Sequence, residues 1–155
     1  MPISDLDEID LKILGQLQGN GRMTNQQLCE RVGLSPSPCL RRVRLLEESG
    51  VIIGYVALVE PQLVGLPVTA FVRIRLDQQD DSHLAAFEDA IAGLTEVMDC
   101  YLMTGEADYQ LRVLVGSLEK FENFLRYKLT RIKGVSQVTT SFALRPVVHR
   151  TALPV

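Results

Sequence analysis

GLSPSPCLRRVRLLEESG, residues 33–50, decides how this chain is read. It opens as a turn, sets two prolines two residues apart, and then continues at helical spacing. Prolines break the interior of a helix but cost little in its first turn, where the backbone N–H groups have no intrahelical acceptor. With Ser35 as N-cap, Pro36 takes the first helical position, Ser37 the second and Pro38 the third. The start of this helix is thereby rigid and held in register. From Cys39 onward, Leu40, Val43 and Leu46 repeat at helical spacing and are expected to pack, while Ser37, Arg41, Arg44 and Glu48 fall on the opposite stripe.

Two further helical patterns precede this one. Asp7 to Gln18 places Ile9, Ile13, Leu14 and Leu17 on one side, with Leu6 as a staple before an aspartate N-cap, and Gly19, Asn20 and Gly21 end it. Thr24 caps a short second helix carrying Leu28 and Val32, which Gly33 closes through the left-handed conformation. Helix, tight glycine turn, and a helix with an outward basic stripe make up the helix-turn-helix pattern, whose second member enters the major groove. Small helical bundles share the bare pattern. The start of the third helix is what favours DNA, because hydroxyl side chains followed by arginines stand where base edges and phosphates are met.

The formal net charge of −3 hides an uneven distribution. Between Asn20 and Leu46 stand Arg22, Arg31, Arg41, Arg42 and Arg44 against the single acid Glu30, a local basic patch in an acidic chain. A chain of 155 residues that is 46% hydrophobic can bury one good core, or two small ones joined by a linker. No apolar run approaches a membrane span, and the acidic stretch from Ser4 to Asp10 does not resemble a signal peptide, so a cytoplasmic location is expected, with no membrane partner. Cys29, Cys39 and Cys100 are odd in number, widely spaced and set among apolar residues. They read as reduced packing residues without metal-ligand spacing.

After Gly50 the pattern changes. VIIGYVALV, residues 51–59, is predicted to be a strand leading into a hinge punctuated by Pro61, Gly65 and Pro67. From Thr69 the period is two, with Ala70, Val72, Ile74 and Leu76 alternating against Phe71, Arg73 and Arg75. Ser82 is expected to cap a helix bearing Leu84, Phe87, Ile91 and Leu94, and strands follow at Glu96–Thr104 and Tyr109–Val115. Ser117 caps a helix with Leu118, Phe121, Leu125, Leu129 and Ile132, and a last strand runs from Val135 to about Leu144. The echo of SHLAAF at Ser82 in SLEKF at Ser117 predicts two βαβ units in a ferredoxin-like split fold, with helices on one face. Val97, Tyr101, Met103 and Tyr109 are expected on the other face, where a second copy of the chain would bury them.

No catalytic constellation is present: His83 and His149 are far apart, and no GxGxxG, GK[ST] or GxSxG motif occurs. The acids Asp77, Asp80 and Asp81 read as a solvated loop. The loop Gly105-Glu106-Ala107-Asp108-Tyr109 has two readings. It is a hairpin turn of ordinary composition, or it is a ligand site in which Gly105 permits close approach, backbone N–H groups hold a carboxylate and Asp108 meets an ammonium group.

LDEIDLKILGQLQGNGRMTNQQL, VGLSPSPCLRRVRLLEESGVIIGY, GEADYQLRV and GVSQVTTSFAL together resemble, over nearly the whole chain, the Lrp/AsnC family of bacterial and archaeal regulators. The resemblance implies an α+β chain with a winged-type helix-turn-helix domain at 1–50, a hinge strand and linker at 51–67, and a ferredoxin-like βαββαβ effector and oligomerisation domain at 68–155. It implies a sequence-specific regulator of transcription, not an enzyme, that binds double-stranded DNA and responds to an amino acid, with leucine or another apolar amino acid such as methionine leading. No cofactor is implied. Dimers assembling into octamers, as tetramers of dimers, and a nucleoid-associated location belong to the same expectation. Carried onto this sequence, the DNA-contacting residues are Asn25, Gln26, Ser35, Ser37, Pro38, Arg41, Arg42 and Arg44. The effector residues are Met103, Thr104, Gly105, Glu106, Asp108, Tyr109, Ser136 and Thr139. An architectural DNA-compacting protein without effector response is the alternative. A sensing domain attached to an enzyme is disfavoured, because the first 60 residues supply no nucleophile or base.

Overall fold

The computed structural model describes residues 6–155, so the first residues of the acidic N-terminal stretch, Ser4 and Asp5, lie outside the described residues. The chain divides into two compact units, one formed by Met1–Leu58 with Val148–Val155 and the other by Val59–Val147.

The first unit holds three helices, α1 (Glu8–Gly19), α2 (Asn25–Val32) and α3 (Pro36–Glu48). Asp7 caps α1 by accepting from the N–H groups of Ile9 and Asp10, while the Asp10 carboxylate accepts from Asp7 N–H in return, and Thr24 and Gln27 do the same for α2. Gly33 ends α2 at φ +73°, a conformation that a side chain would strain. Ser35 is the N-cap of α3, as expected, but its hydroxyl caps nothing. Pro38 sits at the third helical position, so the N–H that such a cap would bind is missing.

Ile13, Leu14, Leu28, Cys29, Cys39 and Leu46 form the core of this unit, with Leu6, Ile9, Leu17 and Val43 packed around it. Leu40 departs from expectation. Cys39 is fully buried in the place given to it, whereas Leu40 is 39% exposed on the outward side of α3. Three-residue spacing fits either side of the boundary stripe, and packing against α1 and α2 selects Cys39, Val43 and Leu46. The far end of the chain returns to this unit: the Gln18 side-chain amide donates to Leu153 O at 3.2 Å and accepts from Leu153 N–H.

The expected strand at 51–59 does not form. A strand needs a neighbour for its ladder, and no segment among the described residues pairs with this one. Ile53, Val56, Leu58 and Val59 are left 97%, 83%, 70% and 60% exposed. A 3₁₀ turn, Pro61–Val64, follows and ends at Gly65.

The second unit runs β1 (Val68–Leu76), α4 (Asp81–Ala92), β2 (Val97–Leu102), β3 (Tyr109–Val115), α5 (Leu118–Tyr127) and β4 (Val135–Phe142). Its four-stranded sheet has the order β2-β3-β1-β4, and every pairing is antiparallel. This is the predicted ferredoxin-like arrangement. Ala70, Val72, Ile74 and Leu76 of β1 and Tyr109, Leu111, Val113 and Val115 of β3 pack beneath Phe87, Ile91, Phe121, Phe124 and Leu129.

Three expectations change here. Asp80, not Ser82, caps α4, because its carboxylate reaches the N–H groups of Ser82 and His83 and also the His83 ring. These donors hold Asp80 well below the usual carboxylate range, the Ser82 hydroxyl foremost and the His83 ring next. Tyr109 lies on the helix-covered face, 1% exposed, and Val97 packs against the same core. Tyr101 keeps its expected place: it pairs with Gln110, one residue along from Tyr109, and so points to the uncovered face at 60% exposure.

Candidate nucleic-acid interface and ligand site

The outward side of α3 presents Ser37, Leu40, Arg41, Arg44, Leu45 and Glu48 around one open hollow of about 390 Å³. Arg41 and Arg44 are exposed and have no ion-pair partner among the described residues. A helix start with rigid register, small hydroxyl residues and unpaired guanidinium groups can meet both base edges and phosphates.

Arg42 belongs elsewhere. Its guanidinium turns back across the core side of the unit and bonds to Asp7 at 2.7 Å and Asp10 at 2.9 Å. Asp10 and then Asp7 raise its pKa, while the backbone N–H of Asp10 and the Arg42 guanidinium together lower that of Asp7. Counting arginines in sequence could not separate Arg42 from its neighbours, because the separation comes from where α1 lies. Asn25 is likewise engaged: its side-chain amide donates to Pro36 O at 2.9 Å and ties the start of α2 to the start of α3. Gln26 is exposed and donates to Glu30 at 3.3 Å. Ser35 and Pro38 are exposed at the head of α3.

In the second unit, the loop between β2 and β3 overhangs the uncovered sheet face. Glu106 and Ala107 line an open hollow of about 290 Å³ with Arg73, Ile74 and Arg75 of β1 and with Gln137 and Thr139 of β4. Register explains the grouping: Arg73 lies opposite Thr139 and Arg75 opposite Gln137. Arg73, Arg75 and Glu106 bring residues of both charges to the lining, complementary to the two ends of a zwitterion. Arg73, Arg75 and Gln137 are additions to the expected site residues. The alternation of β1 places both arginines opposite the core, but the register that sets β4 beside them has no local sequence signal.

The remaining loop residues divide by role. Met103, Thr104 and Gly105 are exposed around the turn, with Gly105 at φ +107°. Asp108 does not point freely into the hollow; its carboxylate accepts from Leu76 N–H at 2.7 Å and from the Gln79 side chain at 3.4 Å. Tyr109 lies under the sheet and donates its hydroxyl to Glu88 at 2.6 Å, so burial and the Glu88 carboxylate push its pKa far up. The Ser136 hydroxyl donates to Arg75 O at 2.9 Å and braces the strand behind the hollow.

Comparison with known proteins finds relatives of both units. The chain matches the winged helix-turn-helix DNA-binding model over residues 6–53 and the Lrp/AsnC ligand binding domain model over residues 69–153. It is 43% identical to the Bkd operon transcriptional regulator of Pseudomonas aeruginosa over 152 residues, which cover 98% of this chain and 99% of that protein. It is 38% identical to the leucine-responsive regulatory protein of Escherichia coli over 152 residues, 98% of this chain and 93% of that one. Among solved structures, a transcriptional regulator from Neisseria meningitidis in complex with L-Met superposes with a TM-score of 0.92 at 40% identity, covering 96% of each chain.

Proposed function

The chain belongs to the Lrp/AsnC family of DNA-binding transcriptional regulators, and we propose that it reads its operator through Ser37, Arg41 and Arg44 and answers to an apolar amino acid. The observation that carries the DNA assignment is the outward stripe of α3, with two exposed arginines that have no ion-pair partner among the described residues. Residues 1–50 carry the DNA contacts, 51–67 connect, and 68–155 carry the effector and assembly contacts. The curated relatives are named as regulators of transcription, not as enzymes.

The effector lies in the hollow beneath the β2–β3 loop, its carboxylate toward Arg73 and Arg75 and its ammonium toward Glu106, with Thr139 beside it. Leucine or methionine is the leading ligand, a reading supported by the L-Met complex of the Neisseria meningitidis relative. Asp108, Ser136 and Tyr109 shape this site from behind. The chain works as a dimer or a larger assembly, an octamer by family resemblance, in the cytoplasm. Support for assembly comes from the uncovered sheet face, where Phe71 and Tyr101 stand in water, and from the unpaired 51–59 segment. No described helix is long and apolar enough to cross a membrane.

The test is to select duplexes from a random-sequence library with the full-length chain, and then titrate the selected duplex with and without L-methionine and L-leucine. Sequence-selective binding that shifts with one of the two amino acids is the expected result. Binding of every duplex alike, unmoved by either amino acid, would instead support an architectural protein.

A further inference from the structure

We propose that Leu40 is a specificity-determining residue of the DNA interface, reading a thymine by packing on its C5 methyl group. The proposal rests on the DNA-binding reading above and goes beyond it.

Leu40 is one of two exposed leucines on its helix. Its neighbour Cys39 is fully buried and Leu46 nearly so, yet Leu40 is 39% exposed beside Arg41 and Arg44. Polar stripes that only grip phosphate have no use for a branched apolar side chain. Major-groove readers do, because the thymine methyl is the one apolar feature on a base edge, and arginine or serine cannot distinguish its presence.

Position along the helix separates Leu40 from the other exposed leucine, Leu45, which is 49% exposed. At about 1.5 Å per residue, Leu40 lies roughly 7 to 8 Å beyond Ser35, whereas Leu45 lies about 15 Å beyond it. Recognition helices meet base edges with their N-terminal residues, so Leu40 falls within that reach and Leu45 near or past its limit. Glu48 at the far end of the stripe would be repelled by the phosphate backbone and confines the interface to the segment from Ser37 to Arg44.

The side chain is also presented rigidly. Pro36 and Pro38 fix the helix start, Asn25 holds the Pro36 carbonyl, and Arg42 pins the opposite side of α3 to Asp7 and Asp10. A residue held on a braced helix can discriminate a single methyl group.

The test uses the full-length chain and a duplex it has selected, with each thymine replaced in turn by deoxyuridine, which removes only the methyl. Wild type should lose affinity about fourfold at one thymine per half-site, the weight of one buried methyl. Leu40→Ala should bind the thymine duplex more weakly by a similar factor or more, show no further loss on that replacement, and keep the wild-type salt slope. Leu40→Met, which preserves bulk should the alanine variant fold poorly, should retain the methyl sensitivity. An identical deoxyuridine profile for wild type and Leu40→Ala would overturn the proposal, as would a change in melting or assembly with DNA selectivity untouched. If Arg41→Ala with Arg44→Ala left binding and salt slope intact, the DNA reading of this stripe would fail with it, whereas loss of binding there with no role for Leu40 would sink the Leu40 proposal alone.

Discussion

Replacing Arg41, Arg42 and Arg44 by alanine one at a time separates two roles that adjacent arginines play on one helix. Arg42 is 27% exposed in its side chain and bonds two carboxylates, so Arg42→Ala removes two charge-assisted hydrogen bonds that join α3 to the start of α1. Partly exposed ion pairs contribute little each, and a loss of about 1 kcal/mol follows for the two together. For a unit of roughly 60 residues this lowers the melting temperature by about 4–8 °C. Among the described residues Arg41 and Arg44 have no side-chain hydrogen bond or ion pair, so their removal should shift stability by less than about 0.5 kcal/mol. Their effect appears in DNA binding: each arginine–phosphate pair that is removed lowers the slope of log affinity against log salt by about 0.9. In a dimer with two recognition helices, the double variant falls by about 3.6 in slope if both arginines meet phosphate. An arginine that reads guanine instead costs roughly 1–3 kcal/mol on the selected duplex with little change in slope. Fluorescence anisotropy across a series of salt concentrations and thermal unfolding of each variant measure the two axes. If Arg42→Ala lowered the salt slope as much as Arg41→Ala while leaving the melting temperature unchanged, the assignment of these side chains would be refuted.

Asp108→Ala should destabilise the second unit by about 1–3 kcal/mol, because the Leu76 N–H loses its acceptor, while Asp108→Asn keeps an acceptor and should stay near wild type by urea unfolding. Equal stability of the two variants would remove the structural role. Gly33→Ala should cost about 1–2 kcal/mol with no steric clash, since φ is +73° and, its chain neighbours aside, no atom of the described residues lies within 4 Å of an added Cβ; circular dichroism melting reads this directly. Lowering the pH should loosen the first unit: the folded pKa of Asp7 is depressed, so its contribution is complete above the unfolded carboxylate value near 4 and fades as pH falls through the folded one. Arg42→Ala should shrink that acid sensitivity. A melting curve of the variant that kept the full wild-type pH dependence would contradict this cause.

Local rules made much of this protein legible before any coordinates. Caps and breakers act within a few residues, so Asp7, Thr24, Gly33, Pro36 and Ser117 each marked its boundary, and period-two alternation put Arg73 and Arg75 opposite the core of the sheet. The tandem βαβ echo carried the fold of the second unit, and the proline-led basic helix carried the candidate function of the first. Tertiary structure decided what depends on a distant partner. It turned Arg42 toward Asp7 and Asp10 while leaving Arg41 and Arg44 outside, and it chose Cys39 over Leu40 for the core. It buried Tyr109 under α4 and engaged Asp108 with Leu76 N–H, 32 residues away. It brought Arg73 and Arg75 beside Thr139 and Gln137 and left residues 51–59 without a ladder. Sequence spacing constrains the torsions and side-chain direction of a single element, whereas register and pairing follow from the packing of elements that the chain brings together only on folding.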